Sequence, residues 1–303
     1  MDAANQDAAR QARIALTCLR FIRDCGAIAR GERDPHDAFI LSAIANASLT
    51  PVNRDPEANT YFSPADQPPP DELLRPISIN AVAQSLGMPF ETVRRRIGGL
   101  AREGLIAVTP AGVMVLSSTI SSPAYVAMLT ASYDRAGQFY RDMRALNAAQ
   151  HVPSPTLVRQ DDGPPVRVVG RAISDYFLRT AHILMRFGGN LPTAAVLVEI
   201  VLENTADLDD AGLTQWISAS GAAGRPARIA DIARPIRFSG ETARRYVNLL
   251  QARGLVVRGR SGFFAVTPDA LKDLVAQAAA ASAADARRFF SILDRSGVLA
   301  AWA

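Results

Sequence analysis

Cysteine, histidine and long apolar runs are scarce in this sequence, and each shortage excludes a class of protein. Two cysteines in 303 residues, Cys18 and Cys25, cannot form a disulfide framework. We expect them to be reduced and packed in the interior, rather than to have an interchain or redox role. Three isolated histidines share no metal-ligand spacing with the cysteines, so a zinc site is not expected. No uncharged apolar run reaches the roughly 20 residues of a membrane span.

The patterns of a secretory signal and of common enzyme classes are also missing. The N-terminal segment Met1–Arg10 is polar, unlike the cationic and then apolar start of a signal peptide. There is no glycine-rich phosphate loop and no nucleophile elbow, and the acidic cluster Asp207–Asp210 is interpreted as a loop at a helix end. We therefore expect a cytoplasmic protein that is not an enzyme, binds no cofactor or metal and does not enter a membrane.

Lysine is almost absent, because Lys272 is the single lysine among 33 basic residues. With so much alanine, this bias is typical of a GC-rich genome, so the abundance of arginine is not by itself a sign of nucleic-acid binding. The length allows two domains, and 49% of the residues are apolar, which is enough for sizeable cores. The positions of the arginines therefore carry the information.

The sequence repeats itself at an offset of 150 residues. Pro76–Leu116 aligns without a gap with Pro226–Val266. The identical pairs far outnumber the roughly two or three that chance would give. The identical pairs are Pro76/Pro226, Ile79/Ile229, Ala83/Ala233, Glu91/Glu241, Thr92/Thr242, Arg94/Arg244, Arg95/Arg245, Leu100/Leu250, Gly104/Gly254, Leu105/Leu255 and Gly112/Gly262. The sequence thus contains a duplicated unit.

Similar helical patterns surround both copies. Residues 12–48 and 171–204 each predict two helices before the unit, and residues 124–146 and 269–293 each predict one long helix after it. Residues 51–70 are rich in proline, asparagine and aspartate and are predicted to form a flexible loop in the first half only.

The duplication divides the chain into two halves. The first half comprises residues 1–150 with its unit at 76–116, and the second half comprises residues 169–303 with its unit at 226–266. Residues 151–168 contain four prolines and are predicted to be the linker between the halves.

Each unit predicts two helices and a hairpin. In the first copy, Gly87 ends a short helix, and a second helix follows with Val93, Ile97 and Leu100 on its buried face. Gly104 ends that helix, and two short strands follow around a turn. In the second copy Ser239 is a good N-cap for the equivalent helix.

The segment Glu-Thr-Val-Arg-Arg-Arg-Ile at 91–97, followed by Glu-Gly-Leu-Ile at 103–106, resembles the recognition helix and first wing strand of bacterial winged-helix transcriptional regulators. Glu-Thr-Ala-Arg-Arg-Tyr-Val at 241–247 and Arg-Gly-Leu-Val at 253–256 show the same pattern. The resemblance covers about 41 residues of each half and assigns no subfamily. It implies a mainly α protein with small β-wings, in which two winged helix-turn-helix units are embedded in flanking helices.

The resemblance also implies which residues contact double-stranded DNA. The second helix of each unit would lie in the major groove and present its N-terminal residues to the bases, where arginine grips guanine with two hydrogen bonds. Glu91 and Glu241 would accept from cytosine or, more readily, cap the helix or orient an arginine. The implied DNA-binding residues are Phe90, Glu91, Thr92, Arg94, Arg95 and Arg96 in the first unit, and Ser239, Gly240, Glu241, Thr242, Arg244 and Arg245 with the wing residues Arg258 and Arg260 in the second.

The distribution of charge favours the same interpretation. Residues 75–117 hold five arginines and two acids, whereas residues 225–260 hold nine arginines and two acids. Since the whole chain has a net charge of +4, the remainder is acidic. The basic charge is concentrated in the units, as phosphate binding requires, and the second unit is expected to supply most of it.

The sequence is therefore interpreted as a sequence-specific transcriptional regulator that associates with the nucleoid. Its two units could form a covalent pseudo-dimer that reads two half-sites one groove turn apart, or the chain could form a homodimer. Two alternatives stay open: a tandem winged-helix scaffold of the chromosome-organisation type, and a non-specific nucleoid-associated protein. An effector bound between the flanking helices is a further possibility, for which the sequence shows no polar cluster.

Overall fold

A computed structural model describes residues 3–149, 163–219 and 224–302. The chain is mainly helical, and its described strands form two antiparallel sheets of two strands each, which confirms the prediction of a mainly α protein with small β-hairpins. The helices are α1 (Ala3–Arg30), α2 (Pro35–Ser48), α3 (Thr50–Arg54), α4 (Pro56–Tyr61), α5 (Ile79–Leu86), α6 (Phe90–Arg102), α7 (Ser117–Ile120), α8 (Pro123–Ala145), α9 (Val166–Gly188), α10 (Leu191–Asn204), α11 (Asp210–Ser218), α12 (Ile229–Ile236), α13 (Gly240–Ala252), α14 (Lys272–Arg295) and α15 (Val298–Trp302). The strands are β1 (Ile106–Thr109), β2 (Gly112–Val115), β3 (Val256–Arg258) and β4 (Phe263–Ala265).

The largest hydrophobic core lies among the long helices α1, α8, α9 and α14, with α15 against them. Its centre is aromatic: the rings of Phe21 and Phe139 stack with their centroids 4.1 Å apart, and Phe289 lies 5.6 Å from Phe21. Cys18 and Cys25 are free and buried in the same core. Since α1 and α8 precede the predicted linker and α9 and α14 follow it, the two halves share one core.

The two predicted units have matching elements on the outside of this core. The helix α5 and the helix α6 have counterparts α12 and α13 that begin 150 residues later. The hairpins β1–β2 and β3–β4 also correspond, and each is joined by one further bridge, Ile77 to Val113 in the first and Ala227 to Phe263 in the second. The pairs of bridged residues have the same offset of 150.

The correspondence continues into the preceding helices, α2 and α10, which are both 14 residues long. The last residue of each is a buried polar residue that accepts a hydrogen bond from an equivalent strand amide: Ser48 Oγ from Val115, and Asn204 Oδ1 from Ala265. The carbonyl oxygens of the same two residues accept from the amides of Arg75 and Arg225. Each hairpin is thus held by the end of a helix that comes before its unit.

The prediction of a flexible loop over 51–70 is wrong for residues 51–54 and 56–61, which are helical, whereas residues 62–70 form turns and irregular structure. The segment contains the end of α3 and the whole of α4. Pro51 and Pro56 lie in the first turns of these helices, where the missing amide proton loses no hydrogen bond. The carboxylate of Asp55 caps α4 and accepts from two of its free amides.

Two buried arginines of α9 hold this segment in place. Arg167 donates to the carbonyl oxygens of Pro64, Ala65 and Ile120. Arg171 donates to the Asn59 side chain and to the carbonyl oxygens of Asn59 and Phe62. Burial lowers the pKa of Arg171 to about 10, which still leaves it charged at neutral pH.

Other predicted boundaries shift by smaller amounts. The first helix begins before residue 12, and the long helix predicted over 269–293 is α14, which is preceded by a 3₁₀ turn at Asp269–Leu271. Asp209 in the acidic cluster is the N-cap of α11 and accepts from the amide of Gly212. Of the predicted linker 151–168, residues 151–162 lie outside the described residues, and Val166 already begins α9.

Candidate nucleic-acid interface

The helix α6 carries the predicted contacts of the first unit at its N-terminal end. Val93, Ile97 and Leu100 form its buried face, which leaves Arg94 and Arg95 exposed on the opposite side. The exposed positions of the arginines follow from the helical period of the buried apolar residues.

The exposed side chains of α6 differ in their partners. Arg94 donates from Nε and Nη2 to Glu91 Oε2 over 2.9 and 2.8 Å, and this bond raises the pKa of the arginine. Glu91 therefore orients Arg94, as expected. Arg95 has no hydrogen bond or ion pair with any other described residue. Phe90 is exposed and Thr92 is half-buried.

The helix α13 repeats this arrangement with a better cap. Ser239 Oγ accepts from the amide of Thr242 over 3.1 Å, which confirms its predicted N-cap position. Gly240 and Glu241 are exposed in the first turn. Arg244 is exposed and makes no hydrogen bond or ion pair within the described part of the chain. Arg245 lies over the ring of Tyr246, 5.0 Å from its centroid.

The second hairpin adds two more exposed guanidinium groups. Arg258 ends β3 and Arg260 lies in the turn that follows. A hydrogen bond of 2.8 Å from the Gly259 amide to the Gly262 carbonyl oxygen closes this turn. Neither arginine has a partner among residues 3–149, 163–219 and 224–302.

Arg96 lies apart from the other predicted contacts. Only 23% of its side chain is exposed, and Nη1 lies 2.8 Å from Asp37 and 3.0 Å from Asp34, both on or next to α2. Long-range packing of α2 against α6 produces this ion pair, which the helical pattern of α6 does not predict. Arg96 therefore has acidic partners that compete with DNA.

The residue equivalent to Arg96 in the second unit is Tyr246, and it reaches the same place. It is buried, and its hydroxyl lies 3.0 Å from His36 Nε2. The other ring nitrogen of His36 lies 3.2 Å from Asp34 Oδ1. A carboxylate only accepts, so Nδ1 donates to Asp34 and Nε2 accepts from Tyr246. Burial and then the charge of Arg96 lower the pKa of His36, which keeps the imidazole neutral.

These contacts limit the distance between α6 and α13. Asp34 Oδ1 contacts both Arg96 and His36, so the tips of Arg96 and Tyr246 lie within about 11 Å of each other, and their Cα atoms within about 25 Å. Both residues are at the centres of their helices. Helices in successive major grooves on one side of B-DNA are about 34 Å apart.

The turn between α1 and α2 ties the two units together in other ways as well. Glu32 pairs with Arg237 of the second unit, and Arg33 donates to Glu103 of the first over 2.8 Å. Arg30 donates to the carbonyl oxygen of Pro235 over 3.3 Å. The position of each unit thus depends on residues of this turn, which lie outside both units and are not part of the repeated sequence.

Several arginines that raise the charge of the second unit are neutralised locally. Arg225 pairs with Glu203 and Arg234 with Asp231, as Arg237 does with Glu32. Arg228 precedes α12, is exposed and has no partner in the described residues. The free basic surface of this unit is therefore smaller than its net charge indicates.

No protein-family model, curated protein or solved structure matches the chain. Within the described residues, no single helix is long and apolar enough to cross a membrane; α9 and α10 have that length and composition only as a pair, bent by 87°.

Proposed function

We propose that the chain is a double-stranded DNA-binding transcriptional regulator with two winged helix-turn-helix units. One observation carries the proposal: Arg95, Arg244, Arg258 and Arg260 are exposed and have no partner among the described residues. They lie on the second helix or the wing of the two units. Exposed, unpaired guanidinium groups on such elements suit phosphate and guanine.

The proposed roles follow from the positions of the side chains. Arg95 and Arg244, in the first half of their helices, would reach base edges, where one bidentate contact discriminates by about 1–3 kcal/mol. Arg258 and Arg260 would contact phosphate across the wing. Arg94 would bind DNA only by exchanging Glu91 for a base or phosphate.

The distance between α6 and α13 restricts how one chain could bind. A limit of about 25 Å between the helix centres is shorter than the spacing of about 34 Å between successive major grooves. We therefore do not favour a covalent pseudo-dimer on half-sites one turn apart. A site with that spacing would require two chains, each contributing one unit.

The test is selection of genomic DNA fragments by the purified protein, followed by binding measurements at two salt concentrations. The test variant replaces Arg94, Arg95, Arg244 and Arg245 with alanine. The control variant loses the same charge from exposed positions on α8 and α14, by replacing Arg141, Arg144, Arg287 and Arg288. We expect the test variant to bind at least about 100-fold more weakly and the control to bind like the natural chain.

Each result of this test has a definite meaning. A shared motif, weakened by salt and lost in the test variant, supports sequence-specific regulation. Salt-sensitive binding without a motif supports a nucleoid-associated protein instead. Equal binding by the two variants, or no binding at low salt, overturns the assignment of α6 and α13.

A protein-interaction scaffold is the second candidate, favoured by apolar side chains exposed on the same units. Phe90 of α6 and Val108 of β1 are 42% and 60% exposed, and Leu249 and Val257 of the second unit are exposed to a similar extent. Failure of DNA binding would place this candidate first.

A further inference from the structure

A cavity lies where the two halves meet, and it is separate from the candidate nucleic-acid interface. Its walls come from α1, α2, α9, α10 and α12. Its volume is about 70 Å³, which exceeds the 10–15 Å³, roughly, that one water molecule requires. Most of its walls are apolar, including Phe39, Phe177, Leu184 and Ile236. We call it the Arg30 cavity, after the residue that makes it unusual.

Arg30 is a buried cation with an unused donor. It is 9% exposed, and its Nη1 atom is buried without a hydrogen-bond partner among the described residues. The only described acceptor for its guanidinium is the carbonyl oxygen of Pro235, 3.3 Å from Nη2. An unpaired buried donor is costly and calls for an explanation. An anion that enters the cavity would supply the missing acceptor.

Glu199 places a second polar group in the same cavity. It is 6% exposed on α10 and lines the cavity with Arg30 and Arg23. It makes no hydrogen bond or ion pair with another residue that the structure describes, and Arg23 pairs with Asp24 instead, over 2.8 Å. Burial raises the pKa of Glu199 to about 7, so near neutral pH it can donate a proton to an oxygen as well as accept one.

We propose that the Arg30 cavity binds a small amphipathic carboxylate. Its carboxylate would accept from Arg30 Nη1, and its apolar body would lie against Phe39, Phe177 and Leu184. The charge of a single free guanidinium suits one carboxylate, whereas a phosphate needs more donors than this cavity offers. A neutral amphiphile could accept a hydrogen bond from Nη1 but would bring no charge to the guanidinium.

Binding at this position would also affect the two units. Arg30 contacts Pro235 of α12, and the cavity lining also includes Phe39 of α2. A ligand that draws the guanidinium away from the Pro235 carbonyl oxygen would loosen one tie between the halves. This regulatory consequence rests on the proposed function, but ligand binding does not.

The experiment measures binding of benzoate and octanoate to the full chain by calorimetry and by the shift in Tm. Benzyl alcohol and octanol serve as neutral counterparts. Arg30→Gln keeps a donor for Pro235 but removes the charge, and Arg33→Gln, in the turn that follows α1 and outside the cavity lining, is the control for loss of one charge. We expect at least one of the carboxylates to bind, its neutral counterpart not to bind, and Arg30→Gln to weaken binding about tenfold or more.

Three results would overturn the proposal. They are no binding of either carboxylate up to about 10 mM, equal binding of acid and alcohol, and unchanged binding to Arg30→Gln. If Arg30→Gln does not fold, Ala195→Leu fills the cavity while Arg30 is kept, and undiminished binding to that variant would overturn the proposal equally.

DNA affinity is measured separately, with and without the carboxylate that binds. A change supports the regulatory consequence, and no change overturns that consequence while ligand binding stands. If the chain binds no DNA at all, the proposed function fails, and the calorimetric result still decides whether the cavity binds carboxylates.

Discussion

Arg96 and Tyr246 occupy equivalent positions in α6 and α13, and both contact the N-terminal end of α2. Arg96 pairs with Asp34 and Asp37, whereas Tyr246 hydrogen-bonds to His36. The two copies thus use different chemistry at the same position to attach to one shared helix. This attachment sets the separation of the two candidate recognition helices.

The first prediction concerns the number of chains on a DNA site. On a duplex with two half-sites about ten base pairs apart, we expect two chains to bind, because the centres of α6 and α13 lie within about 25 Å of each other and successive major grooves are about 34 Å apart. Sedimentation of the complex at saturation measures the ratio of protein to DNA. A duplex with one half-site is the control, on which one chain is expected. A single chain protecting both half-sites would contradict the limit that the contacts of Asp34 and His36 set on the distance between α6 and α13.

The second prediction concerns Glu199 and the dependence of stability on pH. Its pKa rises from an ordinary value of 4.5 to about 7 through burial, although Arg23 of α1 acts in the opposite direction. Asp24 of α1 and Glu203 of α10 also raise it. Because the folded state binds the proton more tightly than the unfolded state, this group reduces the free energy of unfolding as the pH rises from about 4.5 to 7.

Glu199→Gln removes the titrating carboxyl group and with it this loss of stability at higher pH. The variant is expected to gain stability over the natural chain by about 2–3 kcal/mol at pH 8, and to differ little from it at pH 4.5. Urea unfolding at the two pH values measures the difference. Glu72→Gln, at an exposed carboxylate with no hydrogen bond or ion pair to another described residue, is the control. An equal offset at both pH values would rule out titration of Glu199 as the cause.

The third prediction compares the two helix ends that hold the hairpins. Asn204 is fully buried and makes three hydrogen bonds, to the carbonyl oxygens of Arg225 and Phe263 and from the amide of Ala265. Ser48 accepts from one strand amide. Asn204→Ala leaves the Arg225 carbonyl oxygen and the Ala265 amide without partners, while the Phe263 carbonyl oxygen keeps its bond from the Ala227 amide. We therefore expect a loss of about 2 kcal/mol, against about 1 kcal/mol for Ser48→Ala.

Thermal and urea unfolding of the two alanine variants test this ranking. Asn248→Ala, an exposed position on α13, is the control and should change stability little. Equal losses for Ser48→Ala and Asn204→Ala would show that the side-chain hydrogen bonds of Asn204 do not hold the second hairpin.

Local signals in the sequence were sufficient to predict the elements of the two units. Gly104 and Ser239 mark a helix end and a helix start without reference to the rest of the chain, and the offset of 150 residues carries over to α5, α6, α12 and α13. The exposed positions of Arg95 and Arg244 follow from the period of the apolar residues in their helices.

Contacts between distant segments could not be predicted in this way. Residues 51–54 and 56–61 of the proline-rich segment are helical, and Arg167 and Arg171, more than 100 residues away, bond to carbonyl oxygens of the segment. Arg96 is held by α2, and the cavity brings together Arg30 and Glu199 from different halves. A single sequence carries no signal for such pairings, because neither partner is unusual in its own neighbourhood.

The shared core has a consequence for the synthesis of the protein. Phe21 of α1 packs against Phe139 and also against Phe289 of α14, a residue that the ribosome adds more than 250 residues later. The part of the apolar side of α1 that packs against α14 therefore stays uncovered until almost all of the second copy has been translated. A nascent chain arrested between the copies would present that surface to chaperones and proteases, so neither copy can be released as a finished protein by itself.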